Sequence, residues 1–195
     1  FEAYWEVPAS EKTAVNGRWV KGPGERLFLK LREALGGLPI IAEDLGVITP
    51  EVEALRDGFA LPGMRILQFG FGDDPTNVYL PHNFDKNCVV YTGTHDNETT
   101  VGWFHGLSDR EKGVVRKYLG EGPDQIPWSL IRLAFSSVAS LAVIPAQDLL
   151  GLGCEARMNS PGRASGNWGW RLRPGALTAD VGKRLLSLAK VYGRA

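Results

Sequence analysis

Two short blocks concentrate the side chains that could do chemistry: Ile40-Ile41-Ala42-Glu43-Asp44-Leu45-Gly46 and Tyr91-Thr92-Gly93-Thr94-His95-Asp96-Asn97-Glu98. Each runs from an apolar, strand-like stretch into acid. A carboxylic acid held at such a strand end can give a proton to a leaving oxygen and later take one from an incoming hydroxyl, and a second carboxylate can stabilise positive charge developing on the substrate. Paired carboxyl groups are the working parts of glycoside chemistry, where a retaining mechanism sets a nucleophile and an acid/base roughly 5 Å apart. Strand periodicity sends Glu43 and Asp44 to opposite faces, so one of the two can point along the inward line and the other must turn away. His95 beside Asp96 is by itself weak, because a histidine is more often a satisfied structural group. His82, His95 and His105 have no ligand spacing with cysteines or carboxylates, so no metal is expected, and no cofactor motif is present.

The elements that must position these groups alternate. Glu11 to Gly24 is polar and Gly-rich, with Asn16-Gly17 as a turn signal, so residues 1–24 read as an irregular loop. Leu27, Leu31 and Leu35 then recur at helical spacing until Gly36-Gly37, and a strand Pro39–Ala42 follows. Thr49-Pro50-Glu51 opens a short helix through Leu55, and Met64–Phe69 reads as a strand broken by Gly70-Phe71-Gly72-Asp73-Asp74. Cys88–Tyr91 is a third strand. Ser108-Asp109-Arg110-Glu111 matches a capping box ahead of an apolar stripe at Val114, Val115, Tyr118 and Leu119. Pro127 starts a helix with Leu130, Ile131, Ala134, Phe135 and Val138 on one face, and Leu141–Ile144 is the last strand. Thr178 caps a final helix that presents Val181, Leu185, Leu188 and Tyr192. Four strands alternating with helices, with acids at strand ends, predict an α/β fold that is half of a (β/α)8 TIM barrel, whose reactive groups sit at the C-terminal ends of several strands. A complete barrel takes about 250 residues, so 195 residues are read as a single partial barrel unit, 1–195, corresponding to its C-terminal half.

Both acid blocks resemble the 4-α-glucanotransferase family, also called amylomaltase or disproportionating enzyme. So do Phe1-Glu2-Ala3-Tyr4-Trp5-Glu6-Val7-Pro8-Ala9, Asn16-Gly17-Arg18-Trp19, Ala146-Gln147-Asp148-Leu149-Leu150-Gly151, Arg157-Met158-Asn159 and Asn167-Trp168-Gly169-Trp170-Arg171, in the family's order. The resemblance implies that Glu43 is the acid/base, that Asp96 holds sugar hydroxyls and favours the distorted, oxocarbenium-like ring, and that Asp44, His95 and Asn159 contact substrate. It implies transfer of α-1,4-glucan segments, with malto-oligosaccharides as partners and no cofactor. In this family the nucleophilic aspartate lies in a block reading R-I-D-H-F-R-G, directly before the F-E-A-Y-W-E-V-P segment. That block is not among these residues, so the isolated chain is expected to be inactive, and a complementary N-terminal half is its expected partner. Trp5, Trp103, Trp168 and Trp170 are flat faces that could stack on pyranose rings, though core packing is the more common job for each one taken singly. The resemblance offers Asp148 as a weaker candidate than Asn159 for a sugar contact.

Two other classes stay open: a non-catalytic or degenerate α-glucan-binding protein that keeps the aromatic and Asp96 contacts, and a hydrolase of the α-amylase clan. The 22 basic and 22 acidic residues cancel, which gives no electrostatic reason to expect nucleic acid or an anionic membrane. Neutral sugars need no such field. Cys88 and Cys154 read as unpaired thiols, which fits a reduced cytoplasm. No apolar run is long enough for a membrane span.

Overall fold

The computed structural model describes residues 1–72, 74–120 and 126–195, so Asp73 of the expected strand break lies outside the described residues. It is a mixed α/β protein that packs as two compact units, Phe1–Met64 and Arg65–Ala195. Among the described residues no helix is long and apolar enough to cross a membrane.

The first unit opens with an antiparallel hairpin of β1 (Ala3–Glu6) and β2 (Arg18–Lys21), not the irregular loop expected there. The register explains why. Trp5 sits opposite Trp19 with their rings edge to face at 5.4 Å, a cross-strand aromatic pair of the kind that stabilises two-stranded ribbons. Arg18 forms an ion pair with Glu6 at 2.6 Å on the neighbouring rung, and Lys21 pairs with Glu2. Trp5 Nε1–H donates to the Ala14 carbonyl at 2.8 Å across the turn. A Cβ on Gly17 would lie 2.2 Å from that indole nitrogen, so only glycine lets the turn close over the ring.

Helix α1 (Glu25–Leu35) stops at Gly36 in the left-handed conformation, φ 71°, whose N–H returns to the Arg32 carbonyl. Its buried residue is Phe28, between the rings of Phe1 and Phe59 at 5.4 and 5.2 Å, while Leu35 is exposed. The apolar run 39–42 has no strand ladder. Ala42 N–H donates to the Pro62 carbonyl at 2.8 Å and Ile40 N–H to the Leu38 carbonyl at 2.8 Å, and these two bonds do not continue into the repeating pattern that a strand pair requires. Helix α2 (Pro50–Gly58) follows, with Pro50 in its first turn.

The second unit is built on a three-stranded sheet in the order β3 (Gly63–Ile66), β4 (Cys88–Tyr91), β5 (Leu141–Val143); the boundary between the units falls within β3. The pair β4/β5 is parallel, with Val89 opposite Leu141 and Tyr91 opposite Val143. The apolar run expected to extend β3 to Phe69 instead turns into a 3-10 helix at Leu67–Phe69. Helices α3 (Thr100–Gly106), α4 (Asp109–Leu119) and α5 (Ile126–Ser136) bury Phe104, Val115, Leu130 and Ala134 against Cys88 and Val90. Each fully buried aliphatic contributes about 1.5–3 kcal/mol. Both halves of the Ser108–Glu111 capping box are made. After β5 comes the short α6 (Ala146–Leu149), and then α7 (Ala179–Val191), capped by Thr178 and docked on Ile131 and Phe135 through Leu188. Arg194 fastens this end, donating to the carbonyls of Phe135, Ser137 and Ala139 at 2.7–2.9 Å.

Candidate functional site

In the first unit, Glu43 is exposed and lines an open cavity of about 810 Å³ together with Trp19, Ile41 and Val47. Asp44 beside it is directed into the unit. It is buried, with one carboxylate oxygen 2.6 Å from Arg56 Nη1 and the other accepting the Met64 N–H at 2.6 Å. Gly63 permits that approach, since a Cβ there would lie 2.3 Å from the carboxylate. Hydrogen bonds from Arg56 to Asp57 and to Asp44 hold the guanidinium proton tightly and raise its pKa. Both Asp44 oxygens therefore have partners within the unit.

In the second unit, β4 ends at Tyr91 and the chain turns through Gly93–Thr99 before α3. Asn97 Oδ1 accepts from the N–H and hydroxyl of Thr94, and Thr94 Oγ1 accepts from Asp96 N–H, which folds the turn on itself. The result lifts His95 and Asp96 into solvent with about half of each side chain exposed. A Cβ on Gly93 would meet Gln68 Nε2 at 2.6 Å, and that amide donates to the Glu98 carbonyl, so glycine is needed where the turn leaves the sheet.

Asp96 is held from several sides. Asn159 Nδ2 donates to its Oδ1 at 2.6 Å, and His95 Nε2 lies 3.3 Å from the same oxygen. Arg157 is the brace: Nη2 donates to the Asp96 carbonyl at 2.9 Å, Nε donates to the Asn159 carbonyl at 2.8 Å, and Nη1 lies 3.4 Å from Glu98 Oε2. The Asn159 N–H in turn donates to the His95 carbonyl at 3.0 Å. Trp168 covers one side, its ring 5.1 Å from that of His95, half exposed, on a backbone with φ 60°. The second unit thus brings Asp96, His95 and Asn159 into one cluster.

Sequence reasoning gave no role to Arg157 or Glu98. Arg157 was visible two residues before Asn159, but its partners lie about sixty positions earlier in the chain. A nook of about 180 Å³ opens beside the cluster, lined by Thr94, His95, Gln147, Met158 and Trp168. Ligand pockets usually run to about 300–1,000 Å³, so the nook by itself is smaller than such a pocket. Trp103 packs against the core instead, and Trp5 serves the hairpin.

The family model described as 4-alpha-glucanotransferase matches residues 1–178. The chain belongs to the 4-alpha-glucanotransferase family. Among curated relatives, the 4-alpha-glucanotransferases of Thermus thermophilus and Synechocystis sp. are each 56% identical over the whole chain, which spans 40% and 39% of their lengths. The structure of the amylomaltase from Streptococcus agalactiae in complex with acarbose superposes with a TM-score of 0.94 at 38% identity, covering all of this chain and 40% of that one. The chain thus spans about two fifths of the length of these relatives.

Proposed function

We propose that this chain is the C-terminal portion of a 4-α-glucanotransferase, half of a (β/α)8 barrel, and that it acts on α-1,4-glucans by retaining double displacement. The observation that carries the proposal is the Asp96 cluster: an exposed carboxylate at a strand end, fixed through Oδ1 and its own backbone by Asn159 and Arg157, with an aromatic face beside it. Binding of acarbose by the Streptococcus agalactiae relative supports an α-glucan as ligand. The exposed Leu141 and Val143 on β5, together with Ile41 and Val47, support a complementary N-terminal half as partner. Cys88 and Cys154 form no disulfide with one another, which agrees with a cytoplasmic setting.

In this reading Glu43 protonates the glycosidic oxygen as the C–O bond breaks, and an aspartate of the R-I-D-H-F-R-G block, supplied by the other half, forms the covalent glycosyl bond. Glu43 then takes the proton from the acceptor hydroxyl as that oxygen displaces the aspartate. Asp96, with His95, holds the ring hydroxyls through both steps, Asn159 keeps Asp96 aimed, and Asp44, engaged by Arg56 and Met64, supports the loop that carries Glu43. Water in place of the acceptor would give hydrolysis.

The test is disproportionation of maltotriose. The purified chain is expected to show none, and the chain combined with a segment bearing R-I-D-H-F-R-G is expected to be active, with Glu43→Gln lowering turnover by about 10²–10⁴-fold. Sustained turnover by the 195 residues alone would sink the division of labour. Calorimetry with maltoheptaose separates the runner-up reading: binding with no turnover in any combination would leave a non-catalytic glucan-binding protein.

A further inference from the structure

Asp148 is an ionisable residue that the proposed mechanism does not use, yet it is 1% exposed. It stands in α6, just past β5, and its carboxylate accepts three hydrogen bonds. Oδ2 accepts from the hydroxyls of Thr92 and Thr100, the latter at 2.8 Å, and Oδ1 accepts from the Thr100 N–H at 2.8 Å. Thr92 is the residue after β4, and Thr100 is the first residue of α3. Everything between them is the turn that carries His95, Asp96, Asn97 and Glu98. One buried carboxylate therefore ties down both ends of that turn, and it does so from the end of the neighbouring parallel strand.

We infer that Asp148 is the positioning residue of the Asp96 turn, acting through Thr92 and Thr100 to fix where the turn leaves the sheet and re-enters a helix. The inference rests on the functional reading only in making the turn a substrate contact. Three features favour it over plain core filling. A buried carboxylate is expensive to desolvate, and an apolar side chain of similar size would fill the space without that cost. Burial accordingly pushes the Asp148 pKa up against the pull of its three donors. The donors, moreover, are grouped at the two turn ends and not distributed over the core.

Asparagine can keep the arrangement. Its carbonyl can take the Thr100 N–H while its amide donates to two hydroxyls, each of which can accept as well as donate. Leucine, similar in size, can keep none of it. The experiment compares the ¹⁵N-labelled full chain with Asp148→Leu and Asp148→Asn. Its readouts are amide exchange at residues 93–99 and the Asn159 side-chain amide resonance, which reports the bond to Asp96. Asp148→Leu is expected to speed exchange in the turn by about tenfold more than in α7 and to move the Asn159 signal to a free-amide position, with Asp148→Asn restoring both. Leu130→Ala, which opens a fully buried site on α5, serves as a control that loosens the whole unit. A turn that responds to Asp148→Leu no more than to Leu130→Ala, or that Asp148→Asn fails to restore, overturns the inference. Should Asp148→Leu not fold, Thr92→Val and Thr100→Val each remove one hydroxyl donor, and a response spread evenly over the unit in both would overturn it equally. Maltoheptaose calorimetry runs alongside. No heat with the unaltered chain counts against the functional reading and leaves the exchange result to decide this one, whereas undiminished binding by Asp148→Leu overturns the positioning role.

Discussion

Replacing Arg157 with alanine should unfasten the site and measurably weaken the fold. The guanidinium donates to two backbone carbonyls, Asp96 at 2.9 Å and Asn159 at 2.8 Å, and approaches Glu98 Oε2 at 3.4 Å with 30% and 23% of the two side chains exposed. A hydrogen bond from a charged donor contributes about 1.5–3 kcal/mol, and water replaces part of that at this exposure. The ion pair adds up to about 1 kcal/mol. The sum expected for Arg157→Ala is about 3 kcal/mol. At about 2–4 °C per kcal/mol for a chain of this size, the melting temperature should fall by about 6–12 °C. Arg157→Lys tests the geometry, because an ammonium is a point donor and cannot span the two carbonyls in the fixed fork of a guanidinium; more than half of the loss should remain. The assay is thermal unfolding followed by circular dichroism, with maltoheptaose calorimetry on the same samples. An Arg157→Ala melting point within about 2 °C of the parent, or full rescue by lysine, would refute the bracing role.

Gly63→Ala should drive a methyl group against the Asp44 carboxylate, which Arg56 and Met64 hold in place, at a cost of about 1–3 kcal/mol. Urea unfolding of Gly63→Ala, Asp44→Ala and the double variant checks this, since the glycine effect should vanish once the carboxylate is gone; an equal cost in both backgrounds would contradict the contact. Asp148→Asn should alter how stability depends on pH. With its folded pKa raised by burial, Asp148 keeps its proton better in the native state than the unfolded value of about 3.9 allows. Its contribution is thus complete below that pH and lost as pH rises through the folded pKa. The stability of Asp148→Asn relative to the parent should therefore climb from pH 4 upward, and a difference that stays flat across urea titrations to pH 7 would exclude the effect.

What the sequence disclosed was local. The capping box at Ser108–Glu111, the glycine stop after Leu35 and the bounds of β4 all rest on residues within four positions of one another, and each stands in the structure where spacing placed it. What it withheld depends on distant partners. The hairpin β1/β2 hid in a polar, Gly-rich stretch because its main apolar contact, Trp5 on Trp19, spans fourteen positions and needs the register before it can be seen. The run at 39–42 carried a strand's composition but makes one bond to the Pro62 carbonyl and no ladder, which composition alone does not make. At the site Glu43 is exposed and Asp44 buried although no strand forms there, and the sequence could not reveal the Arg56 and Met64 donors that occupy Asp44. Arg157 and Asp148 reach partners about fifty to sixty positions away, beyond any motif spacing.

Trp168 exposes a conflict between durability and use. A side chain with a Cβ in the left-handed region costs about 1–2 kcal/mol, which glycine, or to a lesser degree asparagine, would recover. Yet only an aromatic residue presents a flat face beside His95. Selection for heat resistance alone, acting on this chain in a laboratory library, should therefore drift toward Trp168→Gly and strip the site of that face. Selection that also demands glucan capture should hold the tryptophan and find its stabilising changes elsewhere.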